Sequence, residues 1–149
     1  LIENPDEFAK LRGDPGLVNA AVEEVVRWAT PVNYMRRRAA CDTEMGGRRI
    51  RKDDWLILFY ASGNRDEDVF DDPFRFRVDR APNPHVGFGY GEHFCLGSHL
   101  ARRSQRALFA ELARRLEHVE LAGEPEWIKS SFVVGLKHLP IRYRIARGA

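Results

Sequence analysis

The stretch FGYGEHFCLG, residues 88–97, is the most informative part of the sequence. Its glycines allow the backbone to turn tightly and to approach another group closely. Cys95 stands where a long helical pattern begins, and the free amide donors of a helix N-terminus stabilise a thiolate. A lone thiolate on a glycine-rich loop is suited to act as a nucleophile, a redox group or a metal ligand.

The rest of the chain bears on these alternatives. Cys41 is the only other cysteine, so no Cys-x-x-Cys pair is present for disulfide exchange or for zinc binding. No histidine–asparagine arrangement for nucleophilic catalysis stands out in the sequence. A single thiolate is sufficient in one further role, as the axial ligand of haem iron.

Length and composition favour one globular domain and exclude several function classes. The chain has 149 residues, and its 24 Lys and Arg nearly balance 22 Asp and Glu, so it is not a polycation built to coat nucleic acid. No apolar run approaches the ~20 residues needed to cross a bilayer, and no signal peptide is visible. Two cysteines make no disulfide scaffold, so we expect a reducing cytoplasm. Because no apolar run is long enough to span a bilayer, we expect no membrane partner. Of the 24 Lys and Arg residues, 20 are Arg. Such an excess is typical either of solvated surfaces or of arginines that bind anionic groups.

Apolar spacing predicts a mainly α fold with small β-sheets. Helical patterns cover 5–11, 17–28 and 96–116, and the second ends before Pro31. Strand patterns cover 41–45, 48–50, 55–60, 119–121, 132–134 and 141–145. The stretch 68–94 has little periodicity but many aromatics and prolines, which is typical of a functional segment that packs.

Phe88, Gly91, Cys95 and Gly97 have the spacing F-x-x-G-x-x-x-C-x-G, and this segment resembles the haem-binding loop of cytochromes P450. The amino-acid sequence of residues 82–102 especially resembles that of bacterial, notably actinobacterial, members of the family. The resemblance covers essentially the whole chain but only the C-terminal part of the family's longer chain. It implies that residues 1–149 are the C-terminal, haem-proximal part of a single P450 domain whose N-terminal part is absent. The expected order is a first long helix, a β-rich segment, a meander, the cysteine loop, a long helix and a terminal hairpin.

Two further motifs carry the same resemblance. Glu24 and Arg27 in the first long helix look like the family's E-x-x-R, and Arg80 looks like its meander arginine. Taken alone, Glu24 and Arg27 would be an ordinary surface pair on a helix. In the family, these three residues form a structural lock beneath the haem loop, and we expect the same role here.

The resemblance also implies a set of residues around the cofactor and the substrate. Cys95 is expected to be the iron ligand of haem b and the catalytic centre. His93 and Arg37 are expected to bind the propionates, with Arg36 and Arg38 as the neighbouring alternatives. The remaining expected cofactor contacts are Phe88, Gly89, Gly91, Leu96 and Gly97, with the amides of the last two donating to the sulfur. The expected substrate contacts are Val32, Asn33, Phe132 and Val133.

The implied activity is that of a haem-thiolate monooxygenase, which inserts one oxygen atom from O2 into a hydrophobic substrate such as a sterol, terpenoid or lipid. Electrons from NAD(P)H would arrive through a ferredoxin reductase and a ferredoxin. Arg102, Arg103 and Arg106 follow the cysteine and either steer an acidic ferredoxin or form a merely solvated helix face. The alternative is a truncated, non-catalytic haem-binding fragment. A basic nucleic-acid-binding domain is disfavoured by the charge balance.

Overall fold

The second helix is the centre of the fold, and its ends follow from local sequence. The computed structural model describes residues 1–146. Helix α1 covers Pro5–Gly13, and a 3₁₀ turn at Pro15–Leu17 leads into helix α2, Val18–Ala29. The Asp14 carboxylate accepts the Gly16 N–H at 2.8 Å and so orders this turn. Thr30 ends α2 in the left-handed region with φ 39°, and Pro31 prevents further helix.

Four short antiparallel ribbons surround the helices. Strand β1, Tyr34–Arg38, pairs with β4, Trp55–Phe59, and between them β2, Thr43–Met45, pairs with β3, Arg48–Ile50. Both glycines between β2 and β3 have positive φ, as a tight hairpin turn requires. A short helix α3, Tyr60–Gly63, follows β4 directly. Near the C-terminus β5, Leu116–Leu121, pairs with β8, Ile141–Ile145, and β6, Glu126–Trp127, pairs with β7, Leu136–His138.

The core lies where the helices meet the irregular segment. Helix α4, Ser98–Arg115, packs on α2 and α1. The buried core cluster consists of Leu11, Ala21, Phe76, Val78 and Ala113. Two of its members come from the segment without periodicity, and Phe76 meets Trp28 edge-on with ring centroids 5.8 Å apart. The aromatic segment therefore packs, as its composition predicts.

The predicted fold class, mainly α with small β-sheets, is confirmed, but several boundaries differ. Helix α4 begins at Ser98 because residues 96 and 97 belong to a turn closed by the Ser98 N–H and the Cys95 carbonyl at 3.1 Å. Leu116 starts β5 and does not end the helix. On the helical stripe, Leu96, Leu100 and Leu108 are exposed.

The predicted strand at 132–134 is wrong. Val133 makes only an isolated bridge with Val32, and the hairpin strand lies further on, at Leu136–His138. The Ser130 hydroxyl accepts the N–H groups of Phe132 and Val133 at 3.2 and 3.1 Å, so the chain curls there. Such local bonds compete with a strand. Among residues 1–146, no helix is both long enough and apolar enough to span a membrane.

Candidate functional site

The cysteine loop is closed on itself by backbone hydrogen bonds. The Cys95 N–H donates to the Phe88 carbonyl at 2.9 Å, so both ends of the loop meet. Inside it, a 3₁₀ turn at Gly91–His93 is closed by the Phe94 N–H, which donates to the Gly91 carbonyl at 3.0 Å. The chain then turns from Cys95 into α4. The thiol therefore sits between a closed loop and a helix start, as the spacing of the glycines predicts.

Two glycines of this loop need positive φ. Gly89 has φ +75°, and a Cβ there would lie 3.2 Å from the Tyr60 hydroxyl oxygen and 3.5 Å from the His93 carbonyl oxygen. Gly91 has φ +71°, but no neighbouring atom would lie within 4 Å of a Cβ. Gly89 is thus required by conformation and by space, whereas Gly91 is required by conformation alone.

An open cavity of about 430 Å³ brings predicted site residues together from distant segments. Its lining includes Val32, Arg37, Phe88, Gly89, His93 and Cys95. Cys95 is a free, exposed thiol. Gly91, Leu96 and Gly97 do not line this cavity. A larger apolar cavity of about 510 Å³ beside Trp28 and Phe109 is lined by none of the predicted site residues.

Strand alternation separates the three neighbouring arginines. Arg37 is half-buried and lines the cavity, while Arg36 and Arg38 are exposed. The Arg36 guanidinium lies over the Trp55 ring at 4.0 Å, and that of Arg38 pairs with the Asp53 carboxylate at 3.1 Å. Because successive side chains point to opposite faces of a strand, only Arg37 faces the cavity.

Glu24, Arg27 and Arg80 meet in the interior. The Glu24 carboxylate accepts Arg27 Nε at 2.7 Å and Arg80 Nε at 3.1 Å, and the three side chains are at most 4% exposed. The other N–H groups of Arg27 donate to Glu24 again and to the carbonyls of residues 64, 73 and 75. All five guanidinium donors of Arg27 are therefore satisfied inside the chain.

Asn64 is a buried residue that the sequence analysis missed. Its backbone carbonyl accepts a hydrogen bond from Arg27 NH1 at 2.7 Å. Its side-chain Nδ2 donates to the Thr30 hydroxyl at 2.9 Å, and its side-chain Oδ1 accepts the Val86 N–H at 2.8 Å. It joins the buried arginine to the chain just before the cysteine loop. In sequence, Gly63-Asn64 indicates only a turn.

A second polar cluster was also missed. The Arg102 guanidinium donates two hydrogen bonds to the Glu23 carboxylate, at 2.7 and 2.8 Å. His85 Nε2 lies 3.0 Å from the same carboxylate. Partial burial alone would raise the pKa of Glu23, but the hydrogen bonds from Arg102 and His85 outweigh it and lower this pKa. Burial lowers the pKa of His85, against the opposing pull of Glu23. Arg102 is thus engaged internally, while Arg103 and Arg106 are exposed.

The four predicted substrate contacts come together beside the cavity. Val32 bridges Val133, and the Asn33 N–H donates to the Phe132 carbonyl at 2.9 Å. The Asn33 amide also donates to the Ser131 carbonyl at 2.9 Å. Only Val32 of the four lines the cavity that contains Cys95.

Comparison with known proteins places this geometry in a family. A model of the family described as Cytochrome P450 matches residues 11–145. Linalool 8-monooxygenase of Pseudomonas putida is 47% identical over 141 residues, covering 95% of this chain and 35% of that protein. Methyl-branched lipid omega-hydroxylase of Mycobacterium tuberculosis is 49% identical over 129 residues, covering 86% of this chain and 30% of that protein.

A solved structure agrees with these relatives. The crystal structure of CYP108D1 from Novosphingobium aromaticivorans superposes with a TM-score of 0.90 and 45% identity, covering 98% of this chain and 36% of that one. The chain belongs to the cytochrome P450 family. It spans about a third of the length of the curated relatives that it matches.

The donor groups at the cavity fit the haem that this family implies. A free thiol is a ligand for iron, and a guanidinium and an imidazole in the same cavity are partners for carboxylates. The lining is otherwise mostly apolar, as suits a large flat ring system. The described residues contain no cluster of three or more His, Cys, Asp or Glu side chains that could hold a metal ion by themselves.

Proposed function

We propose that this chain forms the C-terminal, haem-proximal part of a single P450 domain, and that the protein is a haem-thiolate monooxygenase. The reaction would insert one oxygen atom from O2 into a hydrophobic organic substrate. The observation that carries the proposal is the free thiol of Cys95 in one cavity with Arg37 and His93. When bound, a thiolate-ligated haem supplies the electron density that favours O–O cleavage.

Each residue of the loop has a distinct part in holding haem b. Cys95 would ligate the iron, and Arg37 and His93 would bind the propionates through charge-assisted hydrogen bonds. Phe88, which lines the same cavity, would cover one side of the sulfur once haem is bound. Gly89 and Gly91 keep the backbone turned beside the thiol, and the amides of Leu96 and Gly97 donate to the sulfur. These roles are supported by the closed loop and by the positive φ of both glycines.

Glu24, Arg27 and Arg80 serve the site as a structural lock. Their buried bonds tie α2 to the carbonyls of the irregular segment that precedes the loop. Asn64 extends this tie to the chain just before the loop through the Val86 N–H. The lock keeps the loop fixed relative to α2, and none of its members lines the cavity that contains Cys95.

The proposed substrate is hydrophobic, in the class of terpenoids, sterols or lipids. Val32, Asn33, Phe132 and Val133 would form part of its pocket. The names of the two relatives support this class, since one is a linalool monooxygenase and the other a methyl-branched lipid hydroxylase. The aromatic contact between Tyr34 and Phe132, with centroids 5.7 Å apart, adds apolar surface beside the same segment.

Electrons would come from NAD(P)H through a ferredoxin reductase and an acidic ferredoxin in the cytoplasm, with no part for nucleic acid or a membrane. Arg103 and Arg106 are exposed cations in the first half of α4 and are suited to steer the ferredoxin. Arg102 is removed from this docking set because its guanidinium is bound to Glu23.

The second candidate is a haem-binding segment without catalytic activity. It is favoured by the lining of the cavity, which includes Cys95 but only Val32 of the four predicted substrate contacts. In that case residues 1–149 would ligate haem through Cys95 but would not oxidise a substrate.

Carbon monoxide binding to the reduced, haem-loaded protein tests the main proposal. We expect the strongly red-shifted Soret band of thiolate-ligated haem, and we expect Cys95→Ala to abolish it completely. Cys41→Ala is the matched control, because Cys41 is also a free, exposed cysteine but does not line the cavity. Retention of the band in Cys95→Ala, or its loss in Cys41→Ala, contradicts the proposal. A band together with no oxidation of any terpenoid, sterol or lipid favours the second candidate.

A further inference from the structure

A polar cluster of Glu23, His85 and Arg102, here called the Glu23 cluster, lies behind the cysteine loop. Glu23 comes from α2, Arg102 from α4, and His85 from the chain before the loop. The two N–H···O bonds from Arg102 to Glu23 are 2.7 and 2.8 Å, a bidentate pairing. The side chains of Glu23 and Arg102 are 23% and 21% exposed, and that of His85 is 3% exposed. The pairing is therefore partly shielded from solvent.

Two side chains of the Glu23 cluster, Arg102 and His85, contact the Phe88 ring. The Arg102 guanidinium carbon lies 4.5 Å from the centroid of the Phe88 ring, within the range of a cation–π contact. The His85 ring lies beside the same phenyl ring, with centroids 5.9 Å apart. His85 Nδ1 also accepts the Gly87 N–H at 3.1 Å, which fixes the backbone next to Phe88. The ring is thus contacted by Arg102 and His85, and both of these side chains bond to Glu23.

Phe88 connects the Glu23 cluster to the thiol. Its carbonyl accepts the Cys95 N–H at 2.9 Å, and both residues line the same cavity. On the other side, a Cβ at Gly87 would lie 2.7 Å from Val26 Cγ1 and 3.2 Å from the Val26 carbonyl oxygen. The loop is therefore pressed directly against α2. A change in the Glu23 cluster would therefore act on Phe88 directly, through the contact with Arg102 and through the backbone at Gly87.

The charges of Glu23 and Arg102 nearly cancel within the cluster, but it is the Arg102 guanidinium that lies against the Phe88 ring. The low pKa of His85 keeps its ring neutral near pH 7. The hydrogen bond with Glu23 raises the pKa of Arg102, with a smaller contribution from the charge of Cys95. Arg102 is thus the charged member of the cluster that contacts Phe88, whose carbonyl accepts the Cys95 N–H at 2.9 Å.

We propose that Arg102, held by Glu23 and His85, is a positioning residue that fixes Phe88 beside the cysteine thiolate and raises the reduction potential of the bound haem. The inference rests on the proposed ligation of haem by Cys95. A positive charge near the iron stabilises the reduced, more electron-rich state. A fixed phenyl ring would limit the contact of water with the sulfur once haem is bound, and burial is one of the levers by which a protein sets the potential of a haem.

Potentiometric titration of the haem-loaded protein tests the proposal through a matched set of charge changes. Arg102→Gln should lower the potential, by about tenfold in the reduction equilibrium constant, or ~59 mV for a one-electron couple. Arg103→Gln, which removes the same charge from an exposed neighbouring position, should leave it unchanged because solvent screens that charge.

Arg102→Lys keeps the charge and should restore most of the potential. Equal shifts for Arg102→Gln and Arg103→Gln, or equal shifts for Arg102→Gln and Arg102→Lys, overturn the inference. The red-shifted carbon monoxide band should persist in all three variants. Its absence from the unmodified protein would instead overturn the proposed function.

Discussion

The buried ion network and the cysteine loop are neighbours in space, yet they satisfy their polar groups in opposite ways. In the network, one carboxylate meets two arginines, and every donor of Arg27 finds an acceptor within the chain. In the loop, the backbone is closed, but the Cys95 thiol and the His93 side chain have exposed positions. Groups that are satisfied internally hold a structure together. Groups left free on a rigid support are available to bind something else.

Removing the central carboxylate of the network is expected to give the largest effect on stability. Glu24→Gln leaves two buried arginines without a countercharge, and breaking such a pair costs about 3–5 kcal/mol of the free energy of unfolding. Urea denaturation followed by circular dichroism measures this loss. Glu44→Gln, an exposed glutamate on β2, is the control and should change stability by less than about 0.5 kcal/mol. Equal effects of the two substitutions would show that the network adds no stability.

Substituting the loop glycines should have intermediate effects. Gly89→Ala places a Cβ close to the Tyr60 hydroxyl at a positive φ, and we expect a loss of about 2 kcal/mol. Gly91→Ala has the same conformational strain but open space, so its loss should be about 1 kcal/mol. Thermal unfolding of both variants measures the difference. A larger loss for Gly91→Ala would contradict the assignment of close contact to Gly89 alone.

The Glu23 cluster lies between the two regions and should make stability depend on pH. The folded-state pKa values of His85 and Glu23 lie below their ordinary values of 6.5 and 4.5, so the unfolded chain binds more protons. The stability from His85 is present above pH 6.5 and that from Glu23 above pH 4.5, and each is lost as the pH falls through the folded value. The charged groups that act on His85 are Glu23, Arg102 and Glu24.

Unfolding free energies measured from pH 7.5 to 4 should therefore decrease on acidification. The share of each group should be at most about 1 kcal/mol because the ion pair is partly exposed. His85→Gln should remove the part that begins below pH 6.5, and Glu23→Gln the part that begins below pH 4.5. His138→Gln is the control, since His138 is exposed on β7. A pH dependence that persists unchanged in His85→Gln would assign the upper part to other groups.

Charge reversal on the exposed face of α4 should have the smallest effect on the fold. Arg103→Glu together with Arg106→Glu should change stability by less than about 0.5 kcal/mol, since both side chains are exposed. The same double variant should slow electron transfer from a ferredoxin and flatten its dependence on salt. Stopped-flow reduction at several ionic strengths measures both effects. Unchanged rates would leave α4 as a solvated face.

Features that depend on neighbouring residues were predictable from the sequence. The periodicity of α2, the stop at Pro31, the Gly46-Gly47 hairpin and the closed cysteine loop each follow from a few adjacent residues. The choice of Arg37 agrees with the side-chain alternation of β1. The strand predicted at 132–134 failed because the Ser130 hydroxyl captures two backbone N–H groups, and this local bond is not visible in the apolar pattern.

Features that depend on distant residues were not predictable from the pattern alone. Asn64 bonds to Val86 across 22 positions, and Arg102 bonds to Glu23 across 79. No spacing rule connects such positions, because the chain between them takes several turns and helices. The motif resemblance joined Glu24, Arg27 and Arg80, but their complete burial and the carbonyls they bind were visible only in the structure.

By itself, the sequence determined the family, the helical class with small sheets and the cysteine that stands before a long helix. These follow from short-range chemistry: glycine conformations, helix periodicity and one thiol at a fixed spacing. Only the tertiary structure decided which arginine faces the cavity, which cations of α4 are free and what lies behind Phe88. Those outcomes depend on how α2, α4 and the irregular segment pack, since packing brings charges from distant positions within 3 Å of one another.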